Sequence, residues 1–334
     1  MQPVGRHRKR PRRAARHEGR RRGGAALIDK GSHWTQSVWP NATAIGAFSL
    51  FGGAVVATRV VAQDIPPFTL AAVRIGIGAV ILWALVLLFH RHGMRVDRGD
   101  WKLFFLLAAF YFAAFPLAMA FGFQVTEASR GALLMATSPV WSMVLGRITG
   151  RESLIGRQIA GVLISVVGIG LVFGESALSP ADSGGETVST LAAVGGALLL
   201  LFAAACVAVY GVVSQPAFQR YSSLNVSAWA MLIGIALLAP LAIAEMVFGN
   251  TGGFSAQNSM LMVYLGSLGI AQLMFGFALS RLSPTQVVIY VNLNPLVATA
   301  LGAALLEETL TGTFALGAAA VITGAVLVNW PRGR

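Results

Sequence analysis

Ten continuous apolar runs divide the chain, and each is long enough to cross a membrane as a helix. A helix rises about 1.5 Å per residue, so some 20 residues span a hydrocarbon layer of about 30 Å. Because the runs are apolar throughout and do not alternate, they predict helices and not the strands of an outer-membrane barrel. The predicted helices cover residues 42–62, 68–90, 103–123, 130–147, 158–174, 191–214, 226–248, 260–280, 285–306 and 312–330.

The composition excludes an ordinary soluble enzyme. Hydrophobic residues make up 56% of the chain and charged residues only 11%, less than half of the roughly 25% found in soluble domains. The single cysteine, Cys206, excludes a disulfide framework and a multi-cysteine metal cluster. No Asp or Glu falls in the middle of a predicted helix, and the phosphate-binding loop of ATPases is absent. We therefore expect no enzymatic activity, no cofactor and no metal.

The positive charge is concentrated at the N-terminus, where residues 1–30 hold 11 of the 25 Lys and Arg residues. Residues 1–38 are predicted to be a disordered basic tail, which can contact anionic lipids of the membrane surface; nucleic acid is not expected as a partner. Lys and Arg are retained on the cytoplasmic side of membranes. With the N-terminus inside, 22 basic residues lie on the inner side and one, Arg130, on the outer side. Both termini are therefore predicted to be cytoplasmic.

The sequence repeats itself at an offset of 156 residues. Each copy holds five predicted helices, an odd number, so the second copy enters the membrane from the opposite side. The predicted fold is an all-α integral membrane protein of ten transmembrane helices, built as two inverted five-helix repeats. The repeats cover residues 42–174 and 191–330, with an outer linker at 175–190. Identical residues at paired positions include Pro139 and Pro295, Glu152 and Glu308, Gly156 and Gly312, and Phe121 and Phe277.

Two copies of one motif resemble the EamA domains of the drug/metabolite transporter superfamily. The motif runs from small residues through an apolar stretch and a proline to Glu-x-Leu and a glycine. The first copy runs from Ala128 through Pro139 to Glu152-Ser153-Leu154, and the second from Pro284 through Pro295 to Glu308-Thr309-Leu310. The resemblance covers residues 40–330. It implies a carrier that exports a small metabolite or drug-like solute by alternating access. The alternative is a non-transporting receptor or scaffold with a basic cytoplasmic tail.

Polar residues within the apolar runs are the candidates for a substrate cavity, because polar groups are costly in lipid unless they face protein or water. For Arg74 two roles stay open: it binds a substrate carboxylate or phosphate, or it pairs structurally with an outer acid such as Asp64 or Glu245 or with carbonyls at a helix end. Other aromatic candidates for the lining are Phe48, Phe51, Trp141 and Phe275. The predicted substrate-binding residues are Arg74, Tyr111, Ser138, Tyr210, Gln272, Tyr290, Asn292 and Asn294.

Prolines and glycines suggest mechanical roles. Pro139 and Pro295 are predicted to kink the fourth and ninth helices and to permit gating. Gly161 with Gly168, and Gly317 with Gly324, are each seven residues apart and predict smooth faces for close helix packing. Arg outnumbers Lys 22 to 3, a bias that suggests a bacterial chain of the inner membrane. The expected partners are a small-molecule substrate and the lipid bilayer, with the protein a monomer or homodimer.

Overall fold

The computed structural model describes residues 18–89, 95–148, 156–178, 190–249, 253–282, 290, 293–308 and 310–329. Within these ranges the regular structure is helical, without a strand. The helices are α1 Glu18–Asp64, α2 Pro67–Phe89, α3 Trp101–Leu107, a π-helical segment Ala108–Ala114, α4 Phe115–Val125, α5 Ala128–Met135, α6 Ser138–Ile148, α7 Gly156–Leu178, α8 Thr190–Arg220, α9 Ser223–Phe248, α10 Ala256–Arg281, α11 Leu293–Leu305 and α12 Gly312–Asn329.

Six helical stretches of the described chain are long and apolar enough to cross a membrane. Their outer surfaces carry large apolar side chains such as Val80, Leu88 and Met260, each more than 70% exposed. Exposed apolar surface on this scale is typical of contact with lipid. The chain is therefore an all-helical, multi-pass membrane protein, as predicted. The six stretches are Val38–Asp64, Pro67–Leu88, Arg98–Val125, Leu191–Arg220, Ser223–Phe248 and Ala256–Ala278.

Two segments differ from the sequence prediction. The predicted helix 130–147 is broken into α5 and α6 at Ala136 and Thr137. Pro139 has no N–H to donate to the carbonyl of Met135, so the helical hydrogen bonding is interrupted here. The hydroxyl of Thr137 donates to the carbonyl oxygen of Leu134 at 2.6 Å. Pro139 therefore lies in the first turn of α6 and not in mid-helix.

At the N-terminus, residues 18–37 continue α1 where disorder was expected, because Ala, Arg and Glu favour helix. Residues 1–17 of the predicted tail lie outside the described ranges.

The helices of this bundle finish at two opposite ends. We call the end where α1 finishes and α2 begins the Asp64 end, and the end where α3 begins the Asp100 end. Helix α1 packs on α10 and α11, α2 on α9 and α10, α8 on α4 and α6, and α7 on α12. Buried apolar side chains form two large clusters, one around Phe104, Phe112 and Tyr210 and the other around Ile65 and Phe123.

Helix boundaries recur at the 156-residue offset found in the sequence. Helix α1 ends at Asp64 and α8 at Arg220, α2 begins at Pro67 and α9 at Ser223, and α7 begins at Gly156 and α12 at Gly312. The duplication therefore extends from residue identities to the positions at which helices start and stop.

Candidate functional site

A small cavity lies in the middle of the bundle, where residues of both apolar clusters meet. It offers about 30 Å³ to the centre of a water molecule. Arg74 lies about 10 Å along α2 from its first residue, and Tyr111 about 15 Å from the start of α3, so both lie deep in the bundle. The lining residues are Phe51, Arg74, Ile75, Tyr111, Phe112, Phe115, Pro116, Met231, Leu265, Gly266, Leu268, Gly269 and Gln272.

The π-helical segment places Tyr111 and Phe112 on the cavity wall. In a regular α-helix the ring of Pro116 would clash with the carbonyl of Phe112 and leave it without a donor. The wider turn relieves this clash, and the Phe115 N–H donates to the carbonyl of Phe110, five residues back. Such single wide turns are frequent at functional sites. Helix α9 packs directly on this turn, since a Cβ added at Gly234 would lie 2.6 Å from Phe112 Cβ.

Arg74 is buried without a carboxylate partner among the described residues. The side chain is 9% exposed; its Nη1 lies 3.8 Å from the Met119 sulfur, and its Cζ lies 5.8 Å from the centre of the Phe115 ring. The two acids considered as its partners are engaged elsewhere. Asp64 accepts a hydrogen bond from Asn258, and Glu245 accepts from the first turn of α2. The predicted pairing with Asp64 or Glu245 is therefore wrong.

Tyr111, Tyr210 and Gln272 form one buried group beside Arg74. The rings of Tyr111 and Tyr210 stack at 4.1 Å between centroids, and Tyr111 stacks on Phe115 at 5.1 Å. Gln272 Nε2 donates to the Tyr210 hydroxyl at 2.8 Å. Tyr111 and Gln272 line the cavity directly, whereas Tyr210 lies behind them and orients both. Three helices thus contribute aromatic and amide groups to one wall.

The other predicted binding residues do not line the cavity. The hydroxyl of Tyr290 donates to Asn41 Oδ1 at 2.8 Å, which ties this position to α1 near the Asp100 end. The side-chain oxygen of Asn294 is buried and accepts no hydrogen bond from the described residues. Ser138 is buried at the start of α6, and Asn292 lies outside the described ranges. Of the four other aromatic candidates, Phe51 lines the cavity, and Phe48, Trp141 and Phe275 do not.

Several lining residues were not predicted. Pro116 carried a usable signal, because a proline in mid-helix demands a local change of helical geometry. Gly266 and Gly269 carried another, since they let α10 approach α2 so closely that a Cβ at Gly269 would lie 3.1 Å from the Gly78 carbonyl. Ile75, Met231, Leu265 and Leu268 carry no signal that separates them from core or lipid-facing residues.

Glycines bring α7 and α12 into backbone contact. A Cβ at Gly168 would lie 2.7 Å from the carbonyl oxygen of Gly317, and a Cβ at Gly324 would meet the carbonyl oxygen of Gly161. The two contacts are equivalent under the 156-residue offset, because Gly168 corresponds to Gly324 and Gly317 corresponds to Gly161. Pro295, like Pro139, lies in the first turn of its helix, α11, and is buried. Residues 291 and 292, which join the helical Tyr290 to α11, lie outside the described ranges, so the kink at Pro295 stays a prediction.

Polar contacts close both ends of the bundle above and below the cavity. At the Asp64 end, Asn258 Nδ2 donates to Asp64 at 2.9 Å, and Glu245 accepts from the Thr69 N–H at 2.6 Å. At the Asp100 end, Asp100 accepts from Arg220 at 2.9 Å and from the Tyr221 hydroxyl at 2.7 Å. That second hydrogen bond raises the pKa of Tyr221 above its ordinary value.

Two further contacts fasten helices at the Asp64 end. Glu308 accepts from the N–H groups of Ala128 and Ser129 at 2.7 and 3.0 Å, which caps the N-terminus of α5. Arg59 donates to the carbonyls of Phe123 and Gln124 at 2.6 and 3.0 Å, at the C-terminus of α4. Each contact joins a charged side chain to the helix end of opposite partial charge.

Comparison with known proteins gives a consistent picture. The model of the EamA-like transporter family matches residues 38–174 and 194–330, two segments that begin and end 156 residues apart. A protein of Streptantibioticus cattleyicolor named "Probable terminal-alkyne amino-acid exporter" is 30% identical over 241 residues, covering 71% of this chain and 76% of its own.

More distant relatives cover a larger part of the chain. The transporter YoaV of Bacillus subtilis is 23% identical over 276 residues, covering 82% of this chain and 91% of its own. A WAT1-related chloroplast protein of Arabidopsis thaliana is 27% identical over 295 residues, covering 86% and 69%. One crystal structure superposes with a TM-score of 0.62 at 20% identity, covering 86% of this chain and 96% of the other, and supports the fold.

Proposed function

Because the chain belongs to the EamA-like transporter family, we propose that it is a secondary-active carrier or facilitator that exports a small metabolite or drug-like solute by alternating access. The observation that carries the proposal is the central cavity, which helices of both family-matched segments line. In carriers built from two repeats, the solute binds at the interface between them. Hydrophobic walls with a few buried polar groups are typical of small-molecule sites.

The two matched segments are five-helix repeats of opposite orientation, giving ten membrane-crossing helices over residues 42–174 and 191–330. Support comes from two charged positions that the 156-residue offset relates, Asp64 and Arg220. Asp64 contacts Asn258 at one end of the bundle, whereas its counterpart Arg220 contacts Asp100 at the other end. A rotation that exchanges the repeats therefore also exchanges the two ends.

Alternating access follows from this relation between the ends. The cavity volume of about 30 Å³ is about a tenth of the smallest volumes usual for small-molecule sites, roughly 300 Å³, so this conformation is too small for a metabolite. A solute enters only when the helices separate at one end, and it leaves when they separate at the other. The contact of Asp64 with Asn258 closes one route, and the contact of Arg220 with Asp100 closes the other. Because Asp64 and Arg220 are counterparts in the two repeats, a rocking of the repeats can open one end while the contact at the other end holds.

The candidate residues fall into two groups in this mechanism. Arg74, Tyr111 and Gln272 contact the solute, and Tyr210 holds the last two in place. Ser138, Tyr290, Asn292 and Asn294 belong to the route between the cavity and the Asp100 end. Pro139 and Pro295 define the breaks about which α6 and α11 swing.

The carrier lies in the plasma membrane, in bacteria the inner membrane, with both termini and the Asp100 end cytoplasmic. Cysteine labelling tests this orientation in a Cys206→Ala background. An impermeant maleimide applied to whole cells is expected to label Gln63→Cys and Gly253→Cys, which are exposed at the Asp64 end. Arg95→Cys, which is exposed at the other end, is expected to react only after the cells are opened. The reverse pattern would place the termini outside.

Export is tested by cross-linking each end of the bundle while the spent medium is profiled for metabolites. Cells produce Asp64→Cys with Asn258→Cys, or Asp100→Cys with Arg220→Cys, in the background that lacks Cys206. A short bis-methanethiosulfonate reagent is expected to stop release of the exported compound in both pairs, and a reducing agent is expected to restore it. The same cysteine variants without reagent are the matched controls.

Two results would contradict the proposal. Release that continues at the control rate after complete cross-linking would exclude alternating access through these ends. If no compound were enriched in the medium of producing cells or taken up by vesicles that contain the purified chain, the receptor or scaffold alternative would be favoured.

A further inference from the structure

The charge of the cavity points to a narrower class of solute. Among the described residues, Arg74 is the one charged residue of its lining, and Tyr111 and Gln272 are neutral polar neighbours. No Asp or Glu of the described ranges lines the cavity, so no carboxylate there neutralises the guanidinium or attracts a second positive group. A charged group at membrane depth is costly, and it persists where a partner or a transported solute compensates for it.

Packing does not account for an arginine at this position. In the second repeat, the residue 156 positions later is Ala230, which is completely buried in the corresponding helix. The bundle thus fills the equivalent place with a methyl group. The contacts that Arg74 makes with the Met119 sulfur and the Phe115 ring are weak ones for a cation. Arg74 lines the cavity, and the fork of N–H donors of a guanidinium suits the two oxygens of a carboxylate.

The rest of the wall is apolar and would contact the body of such a solute. Phe51, Ile75, Met231 and Leu268 come from four helices and surround the space beside the guanidinium. An ammonium group would gain no carboxylate partner here and would lie near a fixed positive charge. This distinguishes a simple carboxylic acid from an amino acid, in which both charges are present.

We infer that the site takes a net-anionic carboxylic acid with an apolar body, whose carboxylate binds Arg74 and which carries no ammonium group. The inference rests on the proposed transport function for its biological meaning. The binding itself is measured on purified protein and does not depend on transport.

The test uses four compounds of nearly equal shape and different charge: 3-phenylpropanoate, phenylalanine, 3-phenylpropanamide and 2-phenylethylamine. The full chain is held in lipid nanodiscs, and its melting temperature is followed as each compound is added. We expect 3-phenylpropanoate to raise the melting temperature, with an apparent affinity at least about tenfold higher than that of the other three. Hexanoate with hexanamide is a second pair without a ring.

Substitutions at Arg74 connect the effect to the guanidinium. Arg74→Gln is expected to abolish the response to both carboxylates, and Arg74→Lys, which retains the charge, is expected to keep part of it. Gly170→Ala is the matched control, since nothing lies within 4 Å of the added methyl group. If Arg74→Gln fails to yield folded protein, two other comparisons still test the inference. They are the comparison of wild type with Arg74→Lys and the comparison of the four compounds on the wild-type chain.

Each contrary result has its own meaning. Equal or stronger stabilisation by phenylalanine, the amide or the amine would overturn the inference, and so would no response to either carboxylate. Chloride is tested against gluconate as background: stabilisation by chloride alone, lost in Arg74→Gln, would make the ligand an inorganic anion and overturn the organic acid. Carboxylate binding without any transport would leave the site in place and overturn the carrier function alone.

Discussion

Replacing Gly168 by alanine is expected to force α7 and α12 apart. The new Cβ would lie 2.7 Å from the carbonyl oxygen of Gly317 and 2.9 Å from both Ala320 Cβ and Val321 N. Ordinary contact begins at 3.4 Å, so the helices must separate by about 0.7 Å, since the atoms in the way belong largely to backbone. Overpacking of this kind costs about 1–3 kcal/mol. Backbone atoms cannot move aside as flexible side chains do, so we expect about 2–3 kcal/mol.

The assay is the melting temperature of the purified chain in nanodiscs, where a loss of this size lowers the midpoint by about 3–4 °C. Gly170→Ala adds the same methyl group to α7 with nothing within 4 Å, so it is expected to melt within about 1 °C of wild type. Gly324→Ala, the counterpart in the second repeat, is expected to destabilise in the same direction. If Gly168→Ala and Gly170→Ala had the same melting temperature, the backbones of α7 and α12 would not be in direct contact, and the reasoning would be refuted.

Two other substitutions test buried polar contacts by the same melting assay. Glu308→Gln removes the charge that caps α5 at the Ala128 N–H, and the free energy of unfolding is expected to fall by about 1 kcal/mol. Glu307→Gln, at an exposed position, is the control. Equal melting temperatures of the two variants would contradict the cap. Tyr210→Phe removes the hydroxyl that accepts a hydrogen bond from the buried Gln272 amide. This change is expected to lower the free energy of unfolding by about 1–3 kcal/mol and to slow transport. Wild-type stability in this variant would show that the amide finds another acceptor.

Long apolar runs made most of the fold predictable, because a segment that crosses lipid must be apolar along its whole length and must satisfy its own backbone. The helix predicted at 68–90 is Pro67–Phe89, and the one predicted at 226–248 is Ser223–Phe248. The break between α5 and α6 was not predictable in the same way. A proline indicates that hydrogen bonds are lost nearby, but the place of the break depends on local partners such as the hydroxyl of Thr137.

The candidate site was predictable only in part, because hydropathy identifies buried polar residues but not their neighbours. Arg74, Tyr111 and Gln272 meet at one cavity, as polar residues in apolar helices suggested. Tyr290 obeys the same rule and instead bonds Asn41 on another helix. Whether a buried polar residue lines the cavity or bonds a neighbouring helix depends on how distant segments of the chain pack together. The residues that surround it in the sequence do not specify that packing.

The two repeats agree where helices pack and differ where the cavity lies. At the α7 and α12 contact, glycine occupies the counterpart positions, because both copies need the same close approach. At the cavity, Arg74 corresponds to Ala230, Tyr111 to Ser267 and Gln272 to Pro116.

In the proposed carrier, a symmetric scaffold lets the two ends of the bundle open by the same movement in opposite directions. An arginine at position 230, which is completely buried in α9, would add a second buried positive charge at high cost. Ala230→Arg is therefore expected to disrupt folding or carboxylate binding, although an arginine is accepted at the counterpart position. Normal melting and binding in that variant would mean that the fold accepts a second buried arginine. The divergence of the repeats at positions 74 and 230 leaves one arginine where two identical repeats would have two.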